Sequence, residues 1–150
     1  MNASSRVVDT QSTNASVNST SGSVTFKSGT TGTIHLSCPI TWSIIQGGAF
    51  CSALGMTWRD PDGTGNKAQA VAFLRQMSFH TGGVLTPITV PLGNNTTGGV
   101  EYKTFSDFVA YDFTNYYYYV DVQLVRQDAT VDAPAFYGVT LDTTGGACLF

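Results

Sequence analysis

The stretch "YYYYVDVQLV", residues 116–125, decides how the chain is read. Side chains along a strand alternate between two faces. Tyr118, Val120, Val122 and Leu124 then make one apolar face, and Tyr117, Tyr119, Asp121 and Gln123 make the other. A period of two with one apolar side is the mark of a strand that covers a core with one face only.

The same signal recurs in both directions from this run. Upstream come "SVTFK" (23–27), "TIHLSC" (33–38), "ITWSII" (40–45), "CSALGMTW" (51–58), "QAVAFLRQMSF" (69–79), "LTPITV" (85–90) and "TFSDFVA" (104–110). Downstream comes "AFYGVTL" (135–141), where Tyr137, Val139 and Leu141 alternate in turn. Gly, Asn and Pro fall between the segments, and about nine short strands so punctuated predict a β-sandwich. Residues 68–77 compete as a helix, because Ala, Leu, Gln and Met favour one; we read them as a strand. The last two strands, joined through "RQDATVDAP", are expected as neighbours in the sandwich core. The expectation is an all-β chain with a single antiparallel β-sandwich over 23–150, immunoglobulin-like or jelly-roll in style. Residues 1–22, rich in Ser, Thr and Asn, read as an extended polar arm that cannot bury enough surface to fold alone.

Composition narrows the role. Charged residues make up 11 % of the 150, against roughly 25 % in ordinary soluble domains. Seven basic and ten acidic side chains leave a net charge of −3. The basic residues are scattered, which argues against nucleic acid or an anionic membrane as partner. No apolar run reaches the roughly 20 residues of a membrane span. "MNASSRVVDTQSTNASVNST" has no hydrophobic signal core, so a secreted protein would be shown here in mature form. Scarce charge with abundant Thr, Ser and aromatics points to an extracellular or cell-surface setting.

Three groups of residues invite chemistry. The first is the loop "DPDGTGN", 60–66, which sets Asp60, Asp62, Thr64 and Asn66 at the spacing by which calcium loops wrap oxygens round the ion. The position where a bidentate Glu should close that shell is Val71. A Pro-Asp-Gly turn between two strands explains the same residues, and the turn is the stronger reading; calcium is the only cofactor in view. The second group is the cysteines. Cys38 and Cys51 stand thirteen positions apart, and a bridge closing such a loop is worth roughly 3 kcal/mol. Reduced, partly buried thiols are the alternative, and Cys148, odd by count, suits an intermolecular bond. The third is the outward face of the tyrosine run. Tyr117 and Tyr119 beside Asp121 and Gln123 offer flat phenols flanked by hydrogen-bonding groups, suited to a sugar or to a protein interface.

Catalysis finds little to work with. His35 and His80 are the only histidines, and each reads as structural or solvent-facing. The chain has one Glu, Glu101, and its Asp107 and Asp112 could pair for glycoside hydrolysis only if the fold set them face to face. Trp42 and Trp58 read as core plugs. Asn2, Asn14, Asn18, Asn94 and Asn95 each begin an Asn-x-Ser/Thr sequon, the acceptor for N-glycosylation in a secreted protein.

A Thr/Ser/Gly-rich lead into Cys38, Pro39 and Ile40, the run "YYYYVDVQLV" and a late "FYGVTL" resemble a group of small secreted bacterial proteins. Those are Ser- and Tyr-rich β proteins without an assigned activity. The resemblance spans roughly 23–141 and implies fold and compartment alone. The group carries a second cysteine in a central strand, whereas "AVAFLRQM" here has none. The leading functional expectation is a non-enzymatic structural protein that assembles with copies of itself, the arm adding to a neighbour's sheet edge. The alternative is a monomeric carbohydrate- or surface-binding module using Tyr117 and Tyr119, and a hydrolase ranks third.

Overall fold

The computed structural model describes residues 7–8, 13–18, 20–40, 48–90 and 98–144. Among them the chain is all-β. Ten strands run in order: β1 (Val7–Val8), β2 (Ala15–Val17), β3 (Val24–Phe26), β4 (Gly32–Ile40), β5 (Gly48–Arg59), β6 (Ala68–Ser78), β7 (Val84–Val90), β8 (Val100–Tyr111), β9 (Tyr116–Arg126) and β10 (Ala135–Thr144). They form two antiparallel sheets, β1-β4-β9-β6-β7 and β2-β3-β10-β5-β8, here called A and B.

Strand β9 lies at the centre of sheet A, paired with β4 on one side and β6 on the other. Its apolar face is the expected one: Tyr118, Val120, Val122 and Leu124 are buried. Ile34, Leu36, Cys38 and Ile40 of β4 flank them, with Ala68, Ala70, Ala72 and Leu74 of β6. Sheet B answers with bulkier groups, Leu54, Met56 and Trp58 of β5, Phe136 of β10, and Val24 and Phe26 of β3. Pairing on both sides holds β6 as a strand despite its helix-favouring residues, a case of tertiary context overriding propensity. Trp58 is the core plug expected of it, fully buried.

β9 and β10 are neighbours across the core rather than within a sheet, since they lie in opposite sheets. One expectation changes in detail. In β10 a bulge between Phe136 and Gly138 shifts the register against β5. It therefore buries Phe136 and Val139 and leaves Tyr137 half-buried, so the simple alternation of 137, 139 and 141 breaks at its first residue.

The described part of the N-terminal segment lies on the chain's own sheets. β1 adds to β4, with Val7 opposite Ser37, and β2 forms a hairpin with β3 that crosses the expected boundary between 22 and 23. Asn14 helps to hold it: its side-chain amide donates to Thr31 O at 3.0 Å, and its carbonyl accepts from Lys27 N. At the other end of the sandwich, Tyr118 joins the sheets. Its hydroxyl accepts the Asp112 N–H at 2.9 Å and donates to Ala110 O at 3.2 Å. Its ring packs 4.9 Å from Tyr111 and 5.0 Å from Phe113. Arg126, nearly buried, secures the long loop after β9 by donating to the carbonyls of Thr30, Ala129 and Val131.

Candidate functional site

Sheet A turns one face to the core, so the odd-numbered residues of β4, β6 and β9 share its outer face. The register sets them in rows: His35, Gln123 and Val71; then Ser37, Asp121 and Phe73; then Pro39, Tyr119 and Arg75. A fourth row continues from Tyr117 through Met77 to Val84. All four residues singled out in the tyrosine run, Tyr117, Tyr119, Asp121 and Gln123, therefore stand on one face.

Asp121 is the hub of this face. Its Oδ2 accepts from Gln123 Nε2 at 3.0 Å and from an Arg75 guanidinium nitrogen at 3.3 Å. Its Oδ1 lies 3.7 Å from His35 Nδ1. Side chains from three strands thus meet on one carboxylate, and ionised partners strengthen such bonds. The guanidinium also donates to Thr86 Oγ1 at 2.5 Å and lies 4.2 Å from the centre of the Phe73 ring. Three contacts, to Asp121, Thr86 and Phe73, leave Arg75 little rotational freedom.

Beside this network the Tyr117 and Tyr119 rings stack, with centroids 5.6 Å apart and planes 23° from parallel. Alternate residues of a strand sit about 6.7 Å apart, so the rings lean together into one broad aromatic surface. Burial, and then the Tyr119 phenol, push the Tyr117 hydroxyl above its ordinary pKa. It is a neutral donor and acceptor at neutral pH. Arg75, Phe73 and His35 were not assigned to this site from sequence. Their period-two placement was visible, but the pairing of β6 and β4 with β9 was not.

The other singled-out residues are placed as follows. The 60–66 loop is closed by its own bonds: Asp62 Oδ2 accepts the N–H groups of Lys67 at 2.8 Å and Ala68 at 3.2 Å, and Gly65 N–H donates to Asp62 O. Gly63 takes a positive φ of 64° there, and a Cβ on Gly65 would strike the Asp62 carboxylate. Asp60 is buried, while Thr64 and Asn66 are exposed. The loop's backbone geometry is that of a turn, while Asp62 Oδ1 is buried with no hydrogen-bond partner; no cluster of three or more His, Cys, Asp or Glu fit for a metal occurs among the described residues. Asp112 caps the turn after β8 through Asn115 Nδ2 at 2.7 Å and the N–H of Thr114 at 3.0 Å. The Asn115 bond holds its carboxyl below the usual range, opposite to what a general acid requires. His80 is exposed, with Nε2 3.2 Å from Asn115 Oδ1.

Cys38 is buried on β4 in sheet A, and Cys51 belongs to β5 in sheet B, opposite Phe108. The Cys51 side chain lies outside the described residues, as do Cys148, Trp42, Asn2, Asn94 and Asn95. Asn18 is exposed, its side-chain oxygen accepting the N–H groups of Thr20 and Ser21.

No family model matches the chain, and neither does any curated protein. Among solved structures it is similar to TmCBM61, a carbohydrate-binding module in complex with β-1,4-galactotriose. The identity is 16 % over 93 % of this chain and 88 % of that one, with a TM-score of 0.52. At that identity the likeness is one of fold, the β-sandwich. Similar too are MgGH51 α-L-arabinofuranosidase, at 15 % identity and a TM-score of 0.46 over 93 % of this chain, and the enzymatically active domain of bacteriophage CBA120 tailspike protein 4, at 14 % and 0.49 over 93 %. This chain spans about a fifth of their lengths, 22 % and 18 % respectively.

Proposed function

We propose that the chain is a non-catalytic carbohydrate-binding module, working outside the cell, and that it holds a glycan on the outer face of sheet A. One observation carries the reading: the stacked Tyr117 and Tyr119 rings stand beside a hydrogen-bonded row of Asp121, Arg75 and Gln123. A pyranose presents an apolar C–H face and an equatorial rim of hydroxyls. The aromatic surface takes the first, and the fixed carboxylate, guanidinium and amide take the second. Because the polar groups are already tied to one another, little side-chain entropy is lost when a sugar binds. The sandwich fold shared with a galactotriose-binding module is compatible with this role.

The test is an amide NMR titration of the full chain with β-1,4-galactotriose and a panel of other soluble oligosaccharides. At least one sugar is expected to shift resonances of residues 117–123, together with 73–77 of β6 and 35–37 of β4. A sugar that shifts only other regions, or a panel that shifts none, would sink the proposal.

A further inference from the structure

Among the described residues, strand β8 is the last strand of sheet B and pairs only with β5. It runs for twelve residues without a proline. The other sheet edges are shorter: β7 has seven residues including Pro87, and β1 and β2 have two and three. A long edge offers a row of backbone donors and acceptors to any strand that matches it. Charges on an edge ordinarily keep it solvated, and β8 carries Glu101, Lys103 and Asp107.

Their spacing does something more specific. We propose that β8 pairs antiparallel with β8 of a second copy of this chain about a two-fold axis through Phe105. In that register Lys103 stands opposite Asp107 of the second copy, twice over by symmetry. Tyr102 stands opposite Phe108, and Thr104 opposite Ser106. Residues facing each other across an antiparallel ladder share a sheet face. Tyr102 and Phe108, 56 % and 58 % exposed, therefore stand level on one face, with Tyr102 lying over Gly55 and its hydroxyl 3.2 Å from Thr140 Oγ1.

Neighbouring registers are rejected by the same charges. An axis through Thr104 sets Glu101 against Asp107. An axis through Lys103 or through Asp107 sets that residue against itself, and one through Ser106 leaves Lys103 facing Val109. Only the axis through Phe105 pairs opposite charges while aligning most of the strand. In the single chain both charges have weaker, local partners. Asp107 Oδ1 accepts the N–H of its own neighbour Phe108 at 2.7 Å, and Lys103 Nζ lies 3.8 Å from Glu101 Oε2 and 5.6 Å from the Trp58 ring centre. Pairing exchanges these contacts for ladder bonds and a cross-strand ion pair. The resulting dimer joins two sandwiches through one continuous sheet and leaves both outer faces of sheet A open.

Sedimentation velocity of the full chain over a wide concentration range tests this. A reversible dimer is expected. Lys103→Asp and Asp107→Lys each place like charges opposite one another and should weaken it about tenfold or more. The double variant K103D/D107K restores opposite charges and should return the dimer to within about threefold of the original. A monomer at every concentration, single variants that dimerise unchanged, or a double variant that fails to recover would each overturn the proposal. Circular dichroism verifies the fold of each variant. Hydrogen exchange of the unaltered chain gives a second reading, since amides of 102–108 should exchange more slowly at high concentration; unchanged exchange overturns the proposal.

Discussion

The outer face of sheet A and the free edge of sheet B are built from the same stock, tyrosines and isolated charges, yet they hold it differently. On β9 a single carboxylate, Asp121, is reached by Gln123 of its own strand, Arg75 of β6 and His35 of β4. On β8, the polar partners of Lys103 and Asp107 among the described residues lie within their own strand, Glu101 and the Phe108 N–H. The cause is position in the sheet. A central strand has neighbours on both sides whose outward residues fall level with its own, so polar groups meet at hydrogen-bonding distance. An edge strand has one such neighbour, and β5 offers Gly55 and Met56 across from Thr104 and Lys103. On the proposed readings, the first arrangement is a preorganised surface for a small ligand and the second a strand open to pairing with a second copy.

The comparison breaks altogether if the core that supports both regions fails. Trp58 is fully buried on β5, under Lys103, and Trp58→Ala should cost about 3–5 kcal/mol in urea unfolding. A smaller effect sharpens the contrast. A double-mutant cycle on Arg75 and Asp121, both largely shielded, should give a coupling of about 0.5–1 kcal/mol. The same cycle on Glu101 and Lys103, where the lysine is half-exposed, should give about 0.2 kcal/mol or less. Equal couplings would remove the distinction between centre and edge.

The smallest effect concerns acid. The Lys67 side chain and Thr130 hold the Asp128 carboxyl well below its ordinary pKa, and Asn115 lowers that of Asp112. A depressed folded-state pKa contributes stability that is complete above the unfolded value, near 4, and is lost as pH falls toward the folded value. Melting temperature should therefore drop as pH falls below about 4. It should drop less in Asp128→Asn and Asp112→Asn, which carry no such carboxylate. Parallel melting curves for all three proteins would contradict that assignment.

Most of the strands were legible because their core faces alternate without interruption, β9 most plainly. β10 departs from the simple alternation of 137, 139 and 141, since a bulge adds one position that no residue type announces. The 60–66 loop was legible as turn sequence because Gly63 takes a positive φ and Asp62 Oδ2 accepts the N–H groups of Lys67 and Ala68. The candidate site was half legible. Tyr117, Tyr119, Asp121 and Gln123 share a strand, so period two alone puts them together. Arg75 reaches Asp121 from 46 residues away, through a strand pairing that local sequence does not encode.

The account turns on whether the tyrosine face holds sugar. Affinity electrophoresis through gels cast with a range of soluble polysaccharides, running the unaltered chain beside the Tyr117→Ala/Tyr119→Ala variant, asks this most directly. The account predicts that at least one polysaccharide retards the unaltered chain, and that the variant, still folded, migrates as it does in an empty gel. Equal retardation of the two, or free migration of the unaltered chain in every gel, would contradict it.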